Sequence, residues 1–239
     1  PGVVFGVGGG ESADLALKLA RAHTARTGVV SAVGGYPGHT GLSMAAGDPG
    51  YRDPFGPNLP AFTQVPFNDL AALDRAIDDT TAAVILETIP ATLGMPLPLP
   101  GYLAGVQRIC RERGALLLVD EIQTGFGRTG RLFALEHVGL EPDLLVLAKG
   151  VGAGFPMGAV AYGARVRSAF YAGAHGSTFG GSPLACAAGL AALGVYRDSD
   201  LIAHSAALGA VILDELRSRL DGRAVVREVR GLGMMIAVE

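Results

Sequence analysis

Short apolar runs alternate with longer amphipathic stretches along most of the chain. The apolar runs predict strands at Val3–Val7, Val29–Val33, Ala83–Glu87, Leu116–Asp120, Leu144–Leu147 and Ala159–Tyr162. Helical spacing predicts helices at Ser12–Ala25, with Ser12 as N-cap, and at Leu70–Ile77, Tyr102–Arg113 and Pro183–Tyr196. This alternation is typical of an α/β fold in which helices flank a mostly parallel mixed sheet.

The order of elements changes after Tyr196. A further helix is predicted there, followed by a strand pair at Ala224–Val229 and Met234–Val238. We therefore expect a large domain at residues 1–195 and the start of a smaller α+β domain at residues 196–239. The segment Asp48–Asn68 is rich in Pro, Gly and Asn, which predicts a long surface loop.

Composition excludes several classes of protein. The chain has 239 residues, of which 49% are hydrophobic, and a net charge of −3, values typical of a globular protein. It has no basic cluster for nucleic acid, no apolar run long enough for a membrane span and no metal-ligand spacing. Two cysteines favour a reducing, cytoplasmic location. The first residue is not Met and the last residues lie in a predicted strand, so we expect a fragment.

Lysine is rare in this chain. Lys18 and Lys149 are the only lysines among 19 basic residues, and Lys149 follows the apolar run Leu144–Ala148. Burial at the end of a strand disfavours an ammonium ion and prepares the amine for Schiff-base chemistry. The alternative is an ordinary lysine that reaches solvent at the end of the strand.

Carboxylates end another predicted strand. Asp120 and Glu121 follow Leu116–Val119, and open α/β sheets bind ligands at the carboxyl ends of their strands. We expect this edge to share a crevice with Lys149. A helix cap or a salt bridge is the alternative interpretation.

Glycines join the first predicted strand to the first helix. The backbone of Gly8–Gly10 can bind an anion such as phosphate at the helix N-terminus. A simple turn and a dinucleotide motif of a nicotinamide oxidoreductase are alternatives. The latter is weakened because the next strand leads to Gly34–Gly35 and lacks the ribose-binding acid.

Two motifs carry a family resemblance. V-D-E-I-Q-T-G-F-G-R-T-G begins at Val119, and P-D-L-L-V-L-A-K-G ends at Gly150. With the rest of the chain from Phe5 to Val238, they resemble the class III aminotransferases of pyridoxal phosphate (PLP) fold type I. The resemblance implies PLP as the cofactor.

The resemblance also implies residue roles. Lys149 matches the lysine that binds PLP as a Schiff base and moves the substrate proton, and Asp120 matches the carboxylate that keeps the pyridine nitrogen protonated. Gln123 is expected to approach the ring hydroxyl. Ile122 and Tyr36 are expected to pack on opposite faces of the ring.

The remaining implied contacts are with the phosphate. Gly9 and Gly10 match the phosphate-binding turn. Thr178 matches a threonine that reaches the phosphate of the partner subunit, which implies a homodimer with a shared site.

The chain departs from the family pattern at three places. Gly8–Gly10 stands where Ser-Gly-Thr is usual, and Pro37 replaces a usual His. Thr92 occupies the place of a glutamate that gates an arginine in many members that use ω-amino donors. The first change removes hydroxyls from the phosphate turn, and the third affects substrate handling.

The expected activity is transamination from an amino acid or amine donor to an oxo acid, with 2-oxoglutarate as the expected acceptor. An aminomutase, decarboxylase or epimerase would use the same Lys149, Asp120 and Gln123, because the cofactor performs the carbanion chemistry. A non-catalytic relative is a further alternative.

Overall fold

The computed structural model describes residues 1–171 and 173–239, and its main feature is a seven-stranded mixed sheet. The strand order is β1-β7-β6-β5-β4-β2-β3. The strands are β1 (Gly2–Gly6), β2 (Gly28–Ala32), β3 (Phe62–Val65), β4 (Thr81–Glu87), β5 (Leu116–Asp120), β6 (Leu144–Leu147) and β7 (Gly158–Tyr162). Strand β7 is antiparallel to both of its neighbours, β1 and β6, and the other pairs of this sheet are parallel, so β1 runs in the same direction as β6.

Helices cover both faces of this sheet. They are α1 (Gly9–Thr24), α2 (Gly41–Ala45), α3 (Pro49–Arg52), α4 (Leu70–Ala76), α5 (Tyr102–Arg113), α6 (Pro183–Asp198) and α7 (Leu201–Leu220). Short 3-10 turns lie at residues 53–55, 134–137, 149–151 and 164–169.

The core follows from the alternation of side chains along the strands. In β5, Leu116 and Leu118 pack with α1, whereas Leu117 and Val119 pack with α4 and α5 on the opposite face. All five residues of β5 are buried. A strand covered on both faces has no polar side and reads as a continuous apolar run, which is why the sequence predicts it well.

The chain beyond α6 adds a second, smaller sheet. Strands β8 (Val229–Leu232) and β9 (Met235–Val238) form an antiparallel pair that packs against α7. The division at residue 195 stays a prediction. Helix α6 ends at Asp198, close to that point.

Two predictions about the strands are wrong. The segment Asp48–Asn68 is not simply a loop, because it contains α3 and strand β3, which pairs in parallel with β2 at the sheet edge. Four residues between prolines are too short for a periodic signal. The strand predicted at Ala224–Val229 begins only at Val229. Val225 is 91% exposed, so its β-branched side chain is not a core residue.

Among the residues that the structure describes, no helix is long and apolar enough to cross a membrane.

Leu118 is fully buried in β5, so truncation of its side chain is predicted to lower the stability of the fold strongly. Leu118→Ala should lower the free energy of unfolding by about 2–5 kcal/mol, because it removes apolar contacts and leaves a cavity. Leu99→Ala is the control, since Leu99 is 59% exposed, and it should change stability little. Urea titrations measure both variants, and equal losses would contradict this description of the core.

Candidate active site

Several strands present residues at one edge of the large sheet. Strands β1, β4, β5 and β6 run in the same direction, so their carboxyl ends lie together. Glu87 ends β4 beside Asp120, which ends β5. Lys149 follows β6 by two residues. The predicted placement of Asp120 and Lys149 at one crevice therefore agrees with the fold.

Asp120 is a buried carboxyl at this edge. Its side chain is buried, and Oδ1 accepts a hydrogen bond from the Ile122 amide at 2.8 Å. Oδ2 has no hydrogen-bond partner among the described residues. Burial, with a further contribution from Glu87, raises the pKa of the Asp120 carboxyl well above its usual range. A buried carboxyl of this kind favours a ligand that brings a hydrogen-bond donor and a positive charge.

Glu87 supports the neighbouring loop. Its Oε1 accepts from the Tyr36 amide at 2.8 Å, and its Oε2 accepts from the Ala91 amide at 3.3 Å. Burial raises the pKa of Glu87, against the effect of these two hydrogen bonds. Glu87 was not among the site residues predicted from the sequence. Its position at the end of an apolar strand, like that of Asp120, was the available signal.

Glu121 follows Asp120 directly but has a different set of hydrogen-bond partners. Its side chain is fully buried and accepts hydrogen bonds from Thr124 Oγ1 at 2.5 Å and from the amides of Ala134 and Leu135 at 3.1 and 2.7 Å. Burial raises the pKa of Glu121. These bonds fix the loop after β5, which carries the side chains of Ile122 and Gln123 into the cleft.

Lys149 lies in a strained backbone conformation at the cleft. Its φ is 44°, in the left-handed region that side chains other than Gly rarely adopt. Its Nζ donates to Gln123 Oε1 at 3.1 Å. The expectation that apolar burial desolvates Lys149 is wrong for this structure, because the preceding strand is buried but the lysine itself is exposed.

The glycine turn is the first turn of a helix. Helix α1 begins at Gly9, with Gly8 as its N-cap, so the prediction of Ser12 as the cap is wrong. Ser12 lies one turn later, where its hydroxyl donates to the Gly8 carbonyl at 3.0 Å. Glycine lets the helix start four residues earlier than the polar cap signal indicates. The first amide groups of a helix have no hydrogen-bond partner within the helix, so they are available to bind an anion.

Neighbouring side chains leave little room at this turn. A Cβ on Gly9 would lie 2.9 Å from Ile122 Cδ1, and one on Gly10 would lie 2.9 Å from Thr40 Oγ1. Thr40 donates to Asp14 Oδ2 at 2.8 Å, which ties the following loop to α1. The helix N-terminus, the β5 loop and the loop of Tyr36 therefore meet closely.

Tyr36 belongs to an aromatic cluster at the mouth of the cleft. Its ring centroid lies 4.8 Å from that of His39 and 5.7 Å from that of Tyr51. Tyr36 is 38% exposed and lines the cleft beside Pro37. His39 and Tyr51 were not predicted from the sequence, because their contacts arise from the fold of the loop.

One cleft of about 980 Å³ brings most of the predicted site residues together. Its walls include Gly9, Gly10, Tyr36, Asp120, Ile122, Gln123 and Lys149. A second lobe of about 590 Å³ shares Lys149 and Gln123 and adds Met95, His204 and Met234. Arg128 lines both lobes and was not predicted. Thr178 is exposed and does not line either lobe.

The residues present fit PLP. Asp120 Oδ2 is a buried acceptor that lacks a partner in the described chain, as a protonated pyridine nitrogen requires. The N-terminus of α1 and its glycines suit a phosphate group, and Lys149 supplies the amine. All three features line the same cleft.

Comparison with known proteins identifies the family. The model of the family described as aminotransferase class-III matches residues 2–239. The chain belongs to the class III aminotransferases. Members of this family depend on PLP, so the chain has the cofactor class that its site residues fit. The match gives no support to the alternative of a nicotinamide oxidoreductase.

Relatives within the family share the whole of this chain but are longer. An acetylornithine aminotransferase of Methanothermobacter thermautotrophicus is 42% identical over 99% of this chain and 61% of its own length. An uncharacterized aminotransferase of Archaeoglobus fulgidus is 44% identical over 99% of this chain and 56% of its own length. The chain thus spans about three fifths of the relatives that it matches.

Solved structures show the same fold. The ornithine aminotransferase of Toxoplasma gondii superposes with a TM-score of 0.95 at 38% identity, over 100% of this chain and 60% of that chain. An (S)-enantioselective omega-transaminase of Thermomicrobium roseum gives a TM-score of 0.93 at 32% identity, over 99% of this chain and 60% of that chain. The prediction of PLP fold type I is confirmed.

The raised pKa of Asp120 predicts a pH-dependent stability. A carboxyl whose pKa is higher in the folded than in the unfolded state takes up a proton on folding. Its contribution is present in acid and is lost as the pH rises above the ordinary Asp value of about 4, by at most about 1.4 kcal/mol per pH unit. Asp120→Asn removes this titration, so without PLP the variant should be more stable than the wild type at pH 7.

Urea titrations between pH 4 and pH 8 measure this difference, which should shrink toward acid. Asp79→Asn is the control, because Asp79 is exposed. A variant that is less stable than the wild type at pH 7, or a difference independent of pH, would contradict the assignment.

Proposed function

We propose that this chain is the cofactor-binding part of a PLP-dependent aminotransferase that moves an amino group from an amino acid or amine donor to an oxo acid. The observation that carries this proposal is one cleft lined by Lys149, the unpartnered Asp120 carboxyl and the glycine turn of α1. The family match supports the same reaction class.

The residues around the cofactor site have distinct proposed roles. When bound, PLP supplies an electron sink for the electrons released at the substrate carbon. Asp120 Oδ2 would accept from the pyridine nitrogen and keep it positively charged. Gly9 and Gly10 would bind the phosphate through amides of α1, while Ile122 and Tyr36 would hold opposite faces of the ring.

Lys149 is the proposed covalent anchor and proton carrier. Its Nζ reaches Gln123 Oε1 in the cleft, and the same hydrogen bond would aim the amine before cofactor binding. An exposed, flexible amine can reach both the cofactor carbonyl and a substrate carbon. Gln123 would then turn its amide toward the ring hydroxyl.

The named relatives suggest the substrate class. The relatives include acetylornithine aminotransferases, and the solved structures include ornithine aminotransferases. A primary amine on an amino acid is therefore our proposed donor and 2-oxoglutarate our proposed acceptor. Thr92 would not gate an arginine as a glutamate does, and its hydroxyl instead donates to the Gly34 carbonyl at 2.7 Å.

A homodimer in the cytoplasm is the proposed assembly and location. Thr178 is exposed outside the cleft, as expected of a residue that contacts a partner's cofactor. Large apolar side chains on α6, Leu184 and Leu190, are 66% and 71% exposed, which suits an interface. The free thiols Cys110 and Cys186 are compatible with a reducing compartment.

Replacement of Lys149 tests the proposed reaction. In the full-length protein with PLP, Lys149→Arg should lower kcat for transfer from acetylornithine or ornithine to 2-oxoglutarate by at least about a thousandfold, because the proton carrier is lost. Lys18→Arg is the control, because it changes the other lysine of residues 1–239, and it should leave kcat unchanged. Glutamate formation measures the rate, and an active Lys149→Arg enzyme would contradict the proposal.

Replacement of Thr178 tests the shared site. Thr178→Ala should weaken PLP binding about tenfold in the dimer, since it removes one hydrogen bond to phosphate. Cofactor absorbance measures binding at protein concentrations above and below dimer dissociation. Thr27→Ala, at another exposed threonine, is the control. An equal loss of affinity in the monomer would contradict a role across the interface.

A further inference from the structure

A tight turn beside the second lobe of the cleft has an unfavourable backbone conformation. Gly94 and Met95 are consecutive residues with φ values of 86° and 58°. The turn is closed by hydrogen bonds from the Gly94 amide to Ala91 O at 3.2 Å and from the Met95 amide to Pro90 O at 3.0 Å. Left-handed geometry at Met95 is strained for a residue with a side chain, so it needs support from the surrounding structure.

The support comes from the smaller sheet. Arg230 of β8 donates from Nε to the carbonyl oxygens of Gly94 at 3.1 Å and Met95 at 3.2 Å. Its Nη1 donates to Glu228 Oε2 at 2.7 Å and Glu239 Oε2 at 2.6 Å. The side chain is only 11% exposed. A guanidinium held by two carboxylates is well suited to bind two carbonyl groups in a fixed direction.

The turn connects this arginine to the cleft on two sides. Met95 lines the second lobe together with Gln123 and Lys149. On the other side, Thr92 donates to the Gly34 carbonyl at 2.7 Å, two residues before Tyr36. The Tyr36 amide is in turn bound by Glu87. A displacement of the turn would therefore move a side chain in the lobe and the loop of Tyr36.

We infer that Arg230 is a positioning residue that clamps the Gly94–Met95 turn and thereby fixes Met95 in the second lobe, beside Lys149, where the proposed transamination would place the substrate side chain. The clamp is a property of the fold, whereas its effect on substrate rests on the proposed transamination. Met95 is flexible and apolar, so its position decides the shape of the lobe only if its backbone is held. The clamp joins β8 to a loop more than a hundred residues earlier in the chain.

The test compares Arg230→Gln with Arg227→Gln in the full-length protein with PLP. Arg227 also pairs with Glu239, at 2.9 Å, but it is 82% exposed and is not bonded to the turn. Exchange of the amide hydrogens of residues 91–95 should be about tenfold faster in Arg230→Gln, because the turn loses its support. The control should exchange like the wild type.

Kinetics provide a second readout. Arg230→Gln should lower kcat/KM for the amino donor by roughly ten- to a hundredfold, mainly through KM. Arg230→Lys should lie between the wild type and Arg230→Gln, because an ammonium ion keeps the charge but cannot donate to both carbonyls and both carboxylates. If Arg230→Gln does not fold, Arg230→Lys becomes the decisive variant.

Two results would overturn the inference. One is amide exchange at residues 91–95 that is as slow in Arg230→Gln, or in Arg230→Lys where that is the decisive variant, as in Arg227→Gln. The other is faster local exchange with an unchanged donor KM in an active enzyme, which would leave a clamp without a role at the lobe. If the wild type does not transaminate, the proposed function fails, and the exchange experiment still decides whether the clamp exists.

Discussion

Two carboxyl groups lie side by side at the buried ends of neighbouring strands, and the architecture of the cleft depends on this pair. Glu87 and Asp120 are in register at the ends of β4 and β5. The environment raises the pKa of both, and Asp120 keeps one oxygen without a partner in the described chain. Such an edge is unfavourable unless a cationic group binds there. The site is thus prepared for a ligand at a cost to the stability of the chain alone.

The topology explains how the proposed phosphate site comes to lie beside this pair. Because β7 runs antiparallel between β1 and β6, the chain enters α1 at the same edge at which β5 and β6 end. The positive end of α1 therefore faces the cleft that contains Asp120 and Lys149. Close contacts at Gly9 and Gly10 bring the backbone near the place where an anion would bind.

The sequence predicted the parts of the molecule whose signal is local. Strands β4, β5 and β6 are covered on both faces, so their apolar runs are unmistakable, and Lys149 and Asp120 were found at their ends. Strand β3 was missed because four residues at a sheet edge give no periodic pattern. The start of α1 was misplaced, since glycines do not signal a helix and Ser12 does. The exposure of Lys149 could not be predicted from its buried neighbours, and Arg230 bonds to a turn that is distant in sequence.

The most direct test of a single cofactor site is reduction of the full-length protein with borohydride in the presence of PLP, followed by peptide mass mapping. Lys18 and Lys149 are the only lysines among residues 1–239, so within this part of the full-length protein the mapping distinguishes two positions. A phosphopyridoxyl group on Lys149, absent from Lys18 and reduced in amount by Asp120→Asn, is the predicted result. Modification of Lys18 instead, or an unmodified Lys149 with PLP in excess, would contradict this account.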